Sequence, residues 1–328
     1  MSRLGVPNLD SKLEDSLVAS MQKVESLLRT HIEGEYPLVV ETSKHLVEAG
    51  GKRLRPLLTL IAAQFGDPTK FGIIEAAVVC ELTHLATLYH DDVMDEAPLR
   101  RGVESANNRW GNTVAILTGD YLFAKASDLL ADLGPEAVRL QAKTFERLVI
   151  GQINETQGNT PGLSRIDHYL QVVSDKTGSL IATSARFGAL ISGADPKIVD
   201  VLTQFGEKVG IAFQIADDLL DVQSDSTESG KTPGTDLKEG VPTLVTLYVT
   251  ESPEPADKEL AERLSKPIPE SEIAKTILEL RNHKAVNQVK DYLHKIADDA
   301  NQLLSQLPSG PARDALSNLI TALISRSA

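Results

Sequence analysis

The stretch HDDVMDEAPLRRG, His90 to Gly102, sets three aspartates within five positions and follows them, after a proline, with two arginines. On a helix, Asp91 and Asp95 stand at i and i+4 and Asp92 shares their turn, so the carboxylates lie on one face. That arrangement costs stability: like charges at this spacing oppose folding by about 0.2–0.5 kcal/mol per pair, and carboxylates near a helix C-terminus oppose its dipole. A divalent cation reverses the sign, because Mg²⁺ accepts one or two carboxylates and completes its shell with water and phosphate oxygens. Arg100 and Arg101 then have a natural object, a diphosphate. One such cluster is more often a solvated helix end. It recurs as DDLLD, where Asp217, Asp218 and Asp221 repeat the i, i+1, i+4 spacing at the end of the apolar run VGIAFQIADDLLD. Asp298 and Asp299, in ADDANQ, lack a third carboxylate four residues on and read as surface. Two matching clusters, each closing an apolar helix, point to a face-to-face metal site.

Cations are grouped as well. GGKRLRP places Lys52, Arg53 and Arg55 after a glycine pair that lets backbone approach an anion closely. Further candidates are His84 ahead of the first cluster, Lys176 and Thr177 in SDKTGSL, Gln214 ahead of the second cluster, and Lys231 and Lys238 in GKTPGTDLK. Taken singly, most have an ordinary explanation. A basic loop at a helix start is common, a histidine on an apolar helix is usually core, and loop lysines favour solubility. Lys176, inside a helix and flanked by Thr177 and Gly178, is less ordinary and reads as facing a pocket.

The elements that must position these residues are helices. Leu13, Leu17, Val18, Met21, Val24, Leu27, Leu28 and Ile32 form one helical stripe, and Leu316, Leu319, Ile320, Leu323 and Ile324 form another. Between them the pattern predicts helices over roughly 37–48, 54–65, 71–96, 111–132, 135–157, 165–192, 197–223, 241–251, 255–265, 270–281 and 284–306, separated by Gly and Pro punctuation. VPTLVTLYVT, from Val241, is β-branched enough for a strand, but Pro242 suits a first helical turn and no neighbouring strand is available to pair with it. No alternation of period two is convincing. The expectation is one all-α domain over residues 1–328, a helical bundle, with a Gly-rich polar loop from Ser224 to Gly240.

Composition narrows the partners. Aliphatic residues dominate the 41% hydrophobic content, aromatics make up 4%, and the net charge is −13. A nucleic-acid binder would normally carry a basic face with stacking aromatics, so that class is disfavoured. The lone cysteine, Cys80, permits no intrachain disulfide and fits a reducing cytoplasm. No signal-like start and no run long enough to span a membrane is present, so the expected location is cytoplasmic.

GGKRLRP, HDDVMDEAPLRRG, KTG, FQIADDLLD and GKTPGTDLKEG, in that order and spacing, resemble the trans-isoprenyl diphosphate synthases of the polyprenyl synthetase family over nearly the whole chain. The resemblance implies an all-helical bundle around a deep central cavity, and a homodimer. It implies that Asp91 and Asp95, assisted by Asp92, hold two Mg²⁺ on an allylic diphosphate, and that Asp217 leads in binding a third, supported by Asp218 and Asp221. Lys52, Arg55, His84 and Arg101 would bind isopentenyl diphosphate. Arg100, Lys176, Lys231 and Lys238 would contact the allylic partner, such as farnesyl or geranylgeranyl diphosphate. Thr177 and Gln214 would face the reacting carbon, where oxygen dipoles stabilise positive charge.

Such chemistry accounts for the residue types. Breaking an allylic C–O bond leaves a carbocation and a pyrophosphate, so the catalyst must neutralise charge growing on oxygen and exclude water; no nucleophilic side chain is required. Chain length is expected to be written on the helix of the first cluster. Stepping back from Asp91, the stripe meets Thr87, Ala86, Thr83 and Val79, and Ala86 lies about 7.5 Å below the aspartate. In this family an aromatic at that level tends to stop growth early. Small residues there imply, by analogy, a long product of about C30 to C45, of the kind used as a quinone side chain. The floor is then set deeper, by Phe145, Leu148 or Val149. A shorter geranylgeranyl or farnesyl product is the alternative. A terpene cyclase has no need of GGKRLRP, a phosphohydrolase of the HD type leaves the second cluster unexplained, and a non-catalytic regulatory subunit tends to lose its Asp motifs. Contact with membrane is limited to peripheral product release, since no basic amphipathic anchor is visible.

Overall fold

A computed structural model describes residues 2–158, 160–223 and 233–325. In chain order the helices are α1 (Ser11–Ile32), α2 (Pro37–Glu48), α3 (Leu54–Ala62, continued by a 3₁₀ turn at Ala63–Phe65) and α4 (Ile73–Met94). A hairpin of two-residue strands, β1 (Leu99–Arg100) and β2 (Val103–Glu104), leads to α5 (Ala106–Trp110), α6 (Asn112–Leu133) and α7 (Pro135–Gln157). Then come α8 (Arg165–Val173), a π-helical turn at Ser174–Gly178, α9 (Ser179–Ser192) and α10 (Pro196–Gln223). The remainder is α11 (Thr235–Glu239), α12 (Leu244–Thr250), α13 (Lys258–Leu264, entered by a 3₁₀ turn), α14 (Glu270–Arg281), α15 (Lys284–Leu304) and α16 (Pro311–Ser325).

The helical period is therefore a sound guide, with four local differences. The helix expected over 165–192 is interrupted by the π turn, where the Ser179 N–H reaches back five residues to the Ser174 carbonyl. The segment after Pro98, left outside the expected helices, pairs as a hairpin and then forms the short helix α5. Pro242 precedes α12 rather than opening it, because Thr243 is the N-cap and its hydroxyl accepts from Thr246 N–H. Within the loop expected over 224–240, residues 235–239 form α11, whereas 224–232, with Lys231, lie outside the described residues.

Contacts sort the chain into two compact units. The first contains the chain up to Phe145, Leu180–Gly206 and Leu307–Leu316. Its centre is α4, which is apolar on nearly all sides and buried from Ile73 to Tyr89 with few interruptions, as a helix wrapped by neighbours must be. α1, α3 and α6 pack on it. Two glycines allow the close approaches. A Cβ at Gly119 would fall 2.3 Å from His90 Nε2, and one at Gly188 would fall 2.0 Å from the Thr59 carbonyl oxygen. Tyr89, wholly buried, ties α4 to α2: its hydroxyl donates to Thr42 O and accepts from Leu46 N–H at 3.3 Å. Cys80 lies in the same core, and burial pushes its thiol up to about 11.

The second unit contains Glu146–Ser179, Glu207–Gln306 and the chain from Ser317. Here α12 packs on α8, α13 and α15. α15 buries one stripe, Val286, Val289, Leu293, Ile296, Ala297, Ala300 and Leu304. Among the described residues no helix is long and apolar enough to cross a membrane. Gly188→Ala should lower stability by about 1–3 kcal/mol through overpacking at the α3–α9 contact, read as a reduced midpoint in urea unfolding.

Candidate active site

In the first unit, the loop into α3 and the β1–β2 hairpin present the cations. Gly50 and Gly51 have φ of 87° and 145°, and Arg53 caps α3 in the left-handed region at φ 47°. The glycine pair, expected to admit an anion, admits a guanidinium. A Cβ on Gly51 would lie 3.0 Å from Arg101 Cζ, and Arg101 Nη1 donates to Leu46 O at 2.8 Å and to Gly50 O. Arg101 itself sits at φ 53° beside Gly102 at φ 77°, the paired positive values that close a tight hairpin. The hairpin is tied down by the His45 ring, 2.6 Å from Glu104 O, and by the Ser105 hydroxyl on Ala97 O.

Arg53 is spent on the scaffold. It is buried, donating to Glu25 at 2.5 Å, Glu81 at 2.9 Å and Val47 O at 3.0 Å. Arg55 differs: its Nε is buried with no hydrogen-bond partner. Burial lowers its pKa, Glu81 opposes that and Arg101 adds to it. His84, half-buried on α4, is pushed well below its usual pKa by burial and then by Arg55, Arg101, Arg100 and Arg53. Its imidazole is neutral at physiological pH and can still donate one hydrogen bond. Partly buried guanidinium groups around a neutral histidine have the chemistry to receive a multiply charged oxyanion. Lys52, at the mouth of the same loop, is exposed.

The first aspartate cluster occupies the last turn of α4. Asp91 is half-buried, Asp95 is exposed, and the Asp95 N–H bonds Asp91 O at 2.8 Å. Asp92 turns inward, fully buried, with Oδ1 accepting from Arg100 Nε at 2.6 Å and Oδ2 unpartnered. Burial raises its pKa and Arg100 counters the shift. Arg100 is thus held by the cluster it follows. His84 and Thr87 share the face of Asp91, whereas Ala86 is wholly buried and its carbonyl oxygen lies 3.1 Å from where a Cβ on Gly119 of α6 would be. Thr83, also buried, accepts from Gln141 Nε2 at 2.7 Å. Phe145 stacks on Phe123, centroids 4.5 Å apart. Leu148 is buried and Val149 exposed.

In the second unit, the cluster of α10 is embedded differently. Asp218 is buried and receives Tyr169 Oη at 2.6 Å and Gln214 Nε2 at 2.8 Å. With its nitrogen so engaged, Gln214 offers its oxygen to the Thr177 hydroxyl at 3.0 Å. Burial and then Asp218 raise the Tyr169 phenol pKa well above its usual value, so it remains a donor. Asp217 and Asp221 are half-buried, and Asp221 accepts from Thr235 N–H at 3.3 Å and Asp236 N–H at 3.2 Å, at the start of α11. Lys176, on the π turn, pairs with Glu155 at 2.5 Å. Lys238 is exposed and pairs with Glu270 at 2.8 Å, which raises its pKa.

No group of three or more His, Cys, Asp or Glu converges as a protein-only metal cage among the described residues. Each cluster offers one or two accessible carboxylates on neighbouring turns. That donor set suits Mg²⁺, which keeps water and phosphate oxygens as its remaining ligands. Sequence reading missed Glu81, Tyr169, Glu155 and Arg147. Glu81 had a signal, a lone acid within an apolar helix, which needs a buried partner; the others look like ordinary helix-surface or core residues.

The sequence profile described as polyprenyl synthetase matches residues 36–281. The chain belongs to the polyprenyl synthetase family. As a member of that family it is a prenyltransferase, with the all-helical fold of its solved relatives. A nonaprenyl diphosphate synthase of Mycobacterium tuberculosis is 45% identical over 324 residues, 98% of this chain and 97% of its own. Heptaprenyl diphosphate synthase component 2 of Geobacillus stearothermophilus is 37% identical, over 94% of this chain and 95% of that one. Among solved structures, geranylgeranyl pyrophosphate synthase from Corynebacterium glutamicum, crystallised with calcium and isoprenyl diphosphate, superposes with a TM-score of 0.86 and 42% identity, over 97% of this chain and 98% of that one.

In this polyprenyl synthetase, Glu81→Gln should leave buried Arg53 short of one carboxylate. A loss of about 3 kcal/mol is expected, measured by urea unfolding.

Proposed function

We propose that this chain condenses isopentenyl diphosphate with an allylic diphosphate, in a Mg²⁺-dependent reaction, to give a long all-trans polyprenyl diphosphate and pyrophosphate. The observation that carries the reading is the unpartnered, buried Arg55 Nε, close in charge terms to the Arg101 guanidinium and to a neutral His84, in the same unit as the Asp91–Asp95 turn. In this reading Arg55, Arg101, His84 and Lys52 bind isopentenyl diphosphate. Asp91 and Asp95, with Asp92 in support, and Asp217 and Asp221, with Asp218 in support, would be the metal-holding carboxylates, and Arg100, Lys176, Lys231 and Lys238 are assigned to the allylic diphosphate by the motifs that carry them. Mg²⁺ held there would neutralise charge on the leaving diphosphate.

The chain's own residues supply orientation and polarity. Arg100, braced by Asp92, donates toward the allylic diphosphate oxygens. The Thr177 hydroxyl gives its proton to Gln214, so its lone pairs are free to face positive charge at the allylic carbon. The C–O bond breaks toward diphosphate, the isopentenyl double bond attacks that carbon, and loss of one proton to the departing diphosphate restores an alkene five carbons longer. Water has to be kept from the reacting carbon, since it would otherwise capture the cation.

A long product is supported by the nonaprenyl relative and by the small Thr87 on the Asp91 face; one polyprenyl synthetase domain acting as a homodimer is part of the same proposal. A shorter, geranylgeranyl product is the second reading, favoured by the likeness to the Corynebacterium glutamicum protein. Service as one component of a heteromer is a third, favoured by the heptaprenyl relative named component 2.

Purified chain incubated with labelled isopentenyl diphosphate, farnesyl diphosphate and Mg²⁺ should yield lipids of about C30 or longer, and none with EDTA. A C20 limit would shift the reading to the shorter product, and no elongation with any primer would overturn it. Thr87→Phe, on the Asp91 face, should shorten the product. Ala86→Phe, at a wholly buried position, should chiefly destabilise the fold by about 1–3 kcal/mol.

A further inference from the structure

The π-helical turn that carries Lys176 and Thr177 is held by a set of contacts lying entirely in the second unit. From α7, Arg147 reaches the turn and α10 together. Its Nε bonds Asp175, its Nη2 donates to Ser174 Oγ at 2.6 Å, and its two terminal nitrogens engage both oxygens of Glu207, Nη1 at 3.0 Å. The ring of contacts closes on itself, since Ser174 Oγ donates to Glu207 at 2.6 Å and Gln171 Nε2 donates to the second oxygen of Asp175 at 2.6 Å. Two glycines clasp the turn from either side. A Cβ on Gly151 would lie 2.6 Å from Lys176 N, and one on Gly210 would lie 2.5 Å from Gly178 Cα. π turns insert one residue into a helix and so rotate the side chains that follow. A turn of this kind survives only where its surroundings over-determine it.

We propose that Arg147 is a positioning residue for the allylic diphosphate: by bridging Asp175 and Glu207 it locks the π turn and thereby sets the direction of Lys176. A planar guanidinium meets two carboxylates with fixed geometry, which a lysine at the same place does not reproduce. Lys176 already has a carboxylate neighbour in Glu155, so its ammonium is poised between that group and an incoming oxyanion. The proposal rests on the reading that Lys176 contacts the allylic diphosphate.

The test uses the full chain as wild type, Arg147→Gln, Lys176→Gln and the double variant. Each is assayed for KM of farnesyl and isopentenyl diphosphates, and for Kd of non-reacting farnesyl thiodiphosphate with Mg²⁺ by calorimetry. Arg147→Gln should raise the allylic KM and Kd about tenfold while leaving the isopentenyl KM unchanged. In the Lys176→Gln background it should add no further loss, because both changes remove one interaction. Additive losses, or equal losses for both substrates, would overturn the proposal and make Arg147 a general stabiliser of the fold. If Lys176→Gln leaves allylic affinity intact in an active enzyme, the role of Lys176 fails and the positioning role falls with it. Absence of elongation by the wild type would instead strike the proposed function. Should Arg147→Gln not fold, Glu207→Gln, which leaves the Asp175 bridge in place, carries the same comparison.

Discussion

Positive charge that is partly withdrawn from water, with too few carboxylates beside it, is the constraint on which the first unit is built. Glu81 and Glu25 answer Arg53, which closes a structural ion-pair group within the scaffold. Arg55 and Arg101 are left as a guanidinium surplus whose burial lowers their pKa values, and the same field keeps His84 neutral. The left-handed backbone at Arg53 and Arg101 fixes where the neighbouring guanidinium groups stand.

The two aspartate clusters share a spacing and differ in what surrounds them. On α4 the inward carboxylate, Asp92, meets a cation, Arg100. On α10 the inward carboxylate, Asp218, meets neutral donors, Tyr169 and Gln214. The first arrangement fixes a charged arm that can reach a phosphate. The second uses the carboxylate to orient an amide, which in turn orients a hydroxyl. One sequence pattern thus performs two kinds of positioning, decided by the residue that faces its second aspartate.

Much of this was legible in the sequence because helical periodicity and charge spacing are local. The boundaries of α2, α7 and α14 coincide with the expected ones, and both clusters close their helices as the spacing required. What was not legible depends on contacts between distant segments. Nothing local distinguishes Ser174–Gly178 from ordinary helix; the extra residue in the turn is accommodated by Gly151, Gly210 and Arg147, far away in sequence. The glycines of the Gly50–Gly51 loop report only that something comes close, and beside Gly51 that neighbour is the Arg101 guanidinium. Ala86 and Thr87 are neighbours in sequence, yet a rotation of about 100° per residue separates their surroundings.

Cys80 has a consequence of a different kind. It is the chain's one cysteine, and in the α4 core its thiol is kept protonated, so it presents almost no thiolate to an alkylating reagent. The native sulfur can stay where it packs. A cysteine introduced at a chosen surface position becomes the chain's reactive thiol, and a single fluorophore or spin label attached there reports on that segment alone during turnover.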